Sequence, residues 1–237
     1  MTSVSRNRGK HSNDDKLFSQ QWHPILKDAV DDLCYLLTRG YSYKSALQIA
    51  GNRYKINKRQ RIAVNRISSS NQDIKTRIKS SLSYDQLKNK TIEIDGFNLL
   101  ILIESALSGG YVFKARDTTY RDISSVHGTY KKVRQTDEAI SLIGKALKML
   151  KVKKVKWFLD QPVSNSGRLK TFLLEKRNDV QLDWGVELVY SPDKLLAKSN
   201  EVVVSSDGWV LDQVGRWFNL GAYLIENYLK ASNVVVV

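Results

Sequence analysis

From Thr91 onward the chain alternates short apolar segments with helical ones, and this rhythm restricts the fold more than any other feature of the sequence. TIEID (91–95), VKWFLD (155–160), VELVY (186–190) and VVVSSD (202–207) read as strands. Between them lie LLILIESAL, an amphipathic stretch from Asp137 to Leu150, a helix from Arg168 to Arg177, and a helical turn after Pro192. Strands joined by helices at this spacing form a parallel sheet covered on both faces, so the chain from residue 90 to 237 is assigned to the α/β class. A long closing helix is expected from about Trp209 to Lys230, with Val210, Val214, Trp217 and Leu224 on its apolar face. The final valines, 234–237, suit an added strand or a partner contact.

The first ninety residues follow a different pattern. Residues 1–20 lack periodicity and are expected to form a basic, mobile tail. Residues 21–89 read as a small all-helical domain. One helix opens at Pro24 and closes at Gly40, a second runs from Ser42 to a stop at Gly51, a third follows the N-cap Asn57, and a fourth covers about Asn71 to Leu87. Of the 38 Lys and Arg in the chain, 18 lie in residues 1–90 against 7 Asp and Glu, and no acid occurs between Leu33 and Gln72. Arg53, Lys55, Lys58, Arg59, Arg61 and Arg66 are the candidate phosphate contacts, and Tyr41, Tyr43 and Tyr54 are interleaved as stacking surfaces. A basic run of this length attracts a polyanion through counterion release; the competing reading is a solvated face that confers solubility.

Three strands end in aspartate: Asp95, Asp160 and Asp207. Open α/β sheets bind ligands at the carboxyl ends of their strands, so the three acids can converge there, joined by Asp193 after VELVY and Asp212 after the last strand. Clustered carboxylates resist ionisation, and a divalent cation relieves that cost. Oxygen-only ligands select magnesium or manganese. Asn98, Ser205 and Ser206 are candidates to orient these acids. With phosphate-holding bases outside and one or two such ions inside, the matching chemistry is phosphodiester hydrolysis of nucleic acid. Each acid also has a structural explanation as a helix cap or turn former, and in that case the protein binds nucleic acid without cutting it. A third reading, phosphate transfer on a small substrate, leaves the basic helical unit unexplained.

IDGFN (94–98), SPDKLL (191–196) and SSDGWVLD (205–212) resemble the acidic motifs of PIN-like and NYN-type nucleases, metal-dependent ribonucleases built on a three-layer α/β/α parallel sheet. Together with FLDQPVSNSG (158–167) and the preceding helical unit, the arrangement is similar to an uncharacterised prokaryotic, mainly archaeal family over about residues 22–230. The resemblance implies RNA as the partner, with Asp95 as the first-strand metal ligand, Asp193 as the acid before the final strand, and Asp207 with Asp212 as a closing pair. Asp160 matches that pattern less directly. It also offers Asp137 and Glu138 as a central-helix acid, although their first-turn position is equally accounted for by the helix dipole.

The long segment Gly109–Lys132 holds Arg121, Asp122 and His127, which are candidates for phosphate holding and proton transfer. The alternative there is a strand pair with an Arg121–Asp122 ion pair. Ser164 to Gly167 could grip a phosphate or simply form a capped turn. Nucleotide-binding glycine loops and the GxSxG elbow are absent. The single Cys34 excludes an intramolecular disulfide, the polar N-terminus excludes a secretory signal, and no apolar run approaches membrane-spanning length, so a cytoplasmic location without a membrane partner is expected. Self-association stays open.

Overall fold

The computed structural model describes residues 8, 10–124, 128–229 and 233–237. The order is α1 (Asp14–Leu17), α2 (His23–Thr38), α3 (Tyr43–Arg53), α4 (Lys58–Ile67), α5 (Asn71–Ser80), β1 (Thr91–Asp95), α6 (Gly96–Leu107), β2 (Val112–Lys114), β3 (Tyr120–Asp122), α7 (Thr136–Met149), β4 (Lys154–Asp160), α8 (Ser166–Val180), β5 (Trp184–Val189), α9 (Pro192–Leu196), β6 (Val202–Val204), α10 (Gly208–Leu211), α11 (Leu220–Asn227) and β7 (Val234–Val235). Single 3-10 turns lie at Gln20–Trp22 and Tyr84–Leu87.

The main sheet has the order β5-β4-β1-β6, with every pair parallel. Its strands are the four apolar segments recognised in the sequence. Ile92, Ile94, Val155, Trp157, Leu159 and Trp184 are buried, with α6 and α7 contributing Leu100, Ile103, Ile140 and Leu147 to the same core. Helix α6 is buried along nearly its whole length, which explains its unbroken apolar run.

The helical unit has its own core, formed by Val30, Leu33, Ala46, Ala63, Val64 and Ile67, and that core also takes in Phe113, Ile123 and Val235. Phe113 and Val235 belong to a second sheet, of order β3-β2-β7, in which β2 and β3 form a hairpin and β7 lies parallel to β2, and Ile123 directly follows β3. The segment between Gly109 and Lys132 therefore contains a strand pair, and the terminal valines add a third strand to it.

Three expectations are corrected. Residues 10–20 are not a free tail: Phe18 is buried, and Asp14 is buried against Arg59 on α4. Gly51 does not stop its helix, because α3 continues to Arg53; a Cβ at position 51 would lie 2.4 Å from the Arg61 guanidinium carbon, so the glycine makes room for that side chain. The closing helix is broken. After α10 the chain extends through Trp217, which forms a bridge to Val203 and sends its indole N–H to the Arg77 carbonyl at 2.7 Å, before α11 begins. The buried tryptophan holds this segment against the sheet edge, and its apolar character had suggested a helical stripe.

No helix among the described residues is long and apolar enough to cross a membrane.

Candidate acidic site

Strands β1, β4 and β5 follow one another in one direction across the sheet, while β6 lies on the other side of β1, so the order reverses between β1 and β6. Ligand crevices form at such a point, beyond the carboxyl ends of the strands. Asp95 closes β1 there, level with Phe158 on β4, and Asp160 closes β4 beside Val189 of β5. Ser205, Ser206 and Asp207 run on from β6, and Asp193 stands in the first turn of α9.

Asp95 is 5 % exposed. Its Oδ2 accepts from the Ser205 hydroxyl at 2.9 Å, and that hydroxyl oxygen accepts the Asp207 amide at 3.0 Å. Asn98 Oδ1 accepts from both the amide and the hydroxyl of Ser206, at 2.9 and 2.8 Å. Asn98, Ser205 and Ser206 thus tie the end of β1 to the segment following β6. Asp207 also caps α10, accepting from the Val210 amide at 3.2 Å.

The electrostatics single out Asp95. Burial first, then the negative charge of Asp193 and, less strongly, of Asp160 push its carboxyl up to about 8. Desolvation raises Asp160 as well. Asp193, at the solvent-facing start of α9, is raised by partial desolvation and by Asp207 and Asp160. These four acids share one field, and among the described residues no Lys or Arg forms an ion pair with any of them. Nearby bases are otherwise engaged: Lys156 pairs with Glu93, and Arg77 and Arg121 both pair with Asp117. Among the described residues no three His, Cys, Asp or Glu side chains form a group ready to hold a metal ion.

The remaining candidates fall elsewhere. Asp212 is removed from the acidic group by Arg77, whose Nε and Nη2 donate to its two oxygens at 2.7 and 2.9 Å. Arg121 does not pair with Asp122. It is buried, donating to Asp117 Oδ2 at 2.6 Å, to the Ser206 carbonyl at 2.8 Å and to the Arg66 carbonyl. Asp122 accepts the Ser124 amide at 2.6 Å. His127 lies outside the described residues. Asp137 pairs with Lys176 at 2.8 Å, in line with a helix-end role, and Glu138 is exposed on the same turn. The turn before α8 is braced by Asn165, in the left-handed region at φ 70°, which donates to the Tyr130 carbonyl at 2.9 Å.

The basic candidates divide. Arg59 is held by Asp14, Arg61 by the Ile56 carbonyl and Asn52, and Arg53 lies 3.5 Å from Asp32. Lys55 and Lys58 are exposed. Lys58, Arg61 and Arg66 of α4 line a groove of about 930 Å³ together with Ser206, Asp207, Gly208 and Trp209. The joint beneath this groove is the Arg77–Asp117–Arg121 trio, which sequence reasoning missed. Gly208 belongs to it, since a Cβ there would come within 2.8 Å of Arg77 Nη2. Only the two glycines following the acids hint at such close packing. At Gly96 a Cβ would meet the Phe158 carbonyl at 2.9 Å and Leu159 Cδ2 at 2.5 Å. Gly96→Ala is therefore expected to cost about 1–3 kcal/mol by pushing α6 off β4, visible as a lowered melting temperature.

Residues 84–223 match the family described as Domain of unknown function (DUF5616), and residues 25–79 match that described as Protein of unknown function (DUF434). The chain belongs to the DUF5616 family. A relative in Methanocaldococcus jannaschii, the uncharacterized protein MJ0935, is 36 % identical over 207 residues, covering 86 % of this chain and 98 % of its own length. No solved structure matches. The DUF5616 segment contains all four unpaired acids, the DUF434 segment contains the basic α3–α4 region, and Arg77 of the DUF434 segment pairs with Asp117 and Asp212 in the DUF5616 segment.

Proposed function

We propose that this DUF5616 protein has a PIN-like fold and hydrolyses phosphodiester bonds of nucleic acid, RNA in the first instance, with magnesium or manganese. One observation carries the reading: Asp95, Asp160, Asp193 and Asp207 share a field beyond the carboxyl ends of a parallel sheet, and among the described residues no Lys or Arg pairs with any of them. A buried carboxylate held against the charges of Asp193 and Asp160 is the kind of perturbed group that clusters at functional sites. The all-parallel order β5-β4-β1-β6 supports the PIN-like assignment.

The donor set suits a hard divalent ion, because every candidate ligand is a carboxylate oxygen. With no preformed group of three, one or two carboxylates would hold it and water would fill the rest of its shell, the usual manner of magnesium. Such an ion, when bound, activates water and steadies the leaving oxygen. The chain's own part is positional. Ser205 fixes the Asp95 carboxylate, and Asn98 fixes Ser206, so the β1 and β6 ends stay in register. The helix-capping bonds that Asp95 and Asp207 accept from the Asn98 and Val210 amides favour a second reading, a non-catalytic nucleic-acid-binding or regulatory protein.

Labelled single-stranded RNA and DNA, incubated with the protein in manganese, magnesium or chelator, separate the two. Hydrolysis is expected with either metal and not with chelator, and Asp193→Asn is expected to slow it at least about 100-fold. Binding without cleavage under every condition would leave only the second reading.

A further inference from the structure

We infer that the groove between α4 and α10 receives one unpaired nucleic-acid strand and stacks a base of it on Trp209. This rests on the proposed nuclease reading for its purpose, although not for its test. Trp209 is 52 % exposed and lies two residues after Asp207, in the lining of the groove. A tryptophan left half in water, with no ring stacked on it among the described residues, offers a large flat surface to a ligand.

Helix α4 supplies charge for a phosphate backbone. Lys58, Arg61 and Arg66 project from α4, and Tyr43, 45 % exposed, lines the groove with them. Asp73 and Asp212 also line the groove, but Asp212 is neutralised by Arg77. Positive charge beside an aromatic platform is the arrangement that binds single strands, because stacking needs a base free of its partner. Asp207 lines the groove with Trp209, so a strand held this way would reach one of the four acids.

The test uses the full chain in chelator, so that nothing is cut. Oligouridylate, oligothymidylate and a duplex of the same length are titrated while tryptophan fluorescence is followed. Quenching by both single strands is expected, with the duplex at least tenfold weaker. Trp209→Ala should weaken single-strand binding about tenfold and abolish most of the quench without changing the salt slope, whereas Trp209→Phe should retain most of the affinity. A Lys58→Ala/Arg66→Ala double variant should flatten the slope of log affinity against log salt by about 1.4 and leave the quench at saturation. Equal affinity of wild type and Trp209→Ala, or of duplex and single strand, would overturn the inference. Strand binding through Trp209 in a protein that never cuts with manganese would overturn the nuclease reading alone. Metal-dependent cutting that ignores Trp209 would overturn this inference alone.

Discussion

Asp95→Asn is expected to melt roughly 5–10 °C above wild type at pH 8.5 in chelator, to melt close to it at pH 4, and to lose metal-dependent cleavage. The sign follows from the proton. In the unfolded chain the Asp95 carboxyl ionises at its ordinary 3.8, whereas burial and the neighbouring acids hold the proton in the folded chain up to about 8. Across that window unfolding releases a proton, so the native state loses stability as pH rises and regains none above it. The upper bound is on the order of 5 kcal/mol, and side-chain relaxation with water entry will bring it lower. Asparagine keeps an acceptor for Ser205 and carries no charge, so it escapes the penalty. Manganese should raise the wild-type melting point and leave the variant unmoved, and the ion's affinity should increase with pH toward 8 because its binding displaces that proton. A melting difference equal at pH 4 and pH 8.5 would contradict the assignment of Asp95 as the strained acid.

Arg77→Met should cost about 3–5 kcal/mol, a drop of roughly 10 °C or more in melting temperature. The guanidinium is 2 % exposed and makes four bonds, to Ser69, to Asp117 and to both oxygens of Asp212. Asp117 is fully buried, and without Arg77 only Arg121 would remain to balance it. Lysine at 77 keeps the charge but lacks the fork, so Arg77→Lys should recover part of the loss. Asp212 is partly exposed, and Asp212→Asn should therefore cost about 1 kcal/mol. An Arg77→Met protein melting within a degree or two of wild type would mean that the two segments are held together elsewhere.

The four strands and the acids at their ends were legible because a strand signal is local: an apolar run followed by a polar residue says where the strand ends whatever packs on it. The helical unit was legible for the same reason, through Pro24 at the opening of α2 and Asn57 as the cap of α4. Partnership between distant charges was not. Asp212 sits five residues after Asp207 in a motif that resembles a closing acidic pair, and nothing in that motif reveals that Arg77, 135 residues earlier, will take it. Arg121 and Asp122 are adjacent in sequence, yet side chains of neighbouring strand residues point to opposite faces, which sends Arg121 inward to Asp117. Trp209 carried no signal of its own, since exposure depends on what the tertiary structure leaves uncovered.

Val235 joins Val64 and Phe113 in one apolar cluster, so the helical unit, made before β7, lacks part of its interior until that strand has followed. Until then the α2–α5 segment exposes the apolar surface that Phe113, Ile123 and Val235 later cover, and closing that core waits on contacts far apart in the chain. Clipping the final residues should therefore harm the early helices more than the nearby α11.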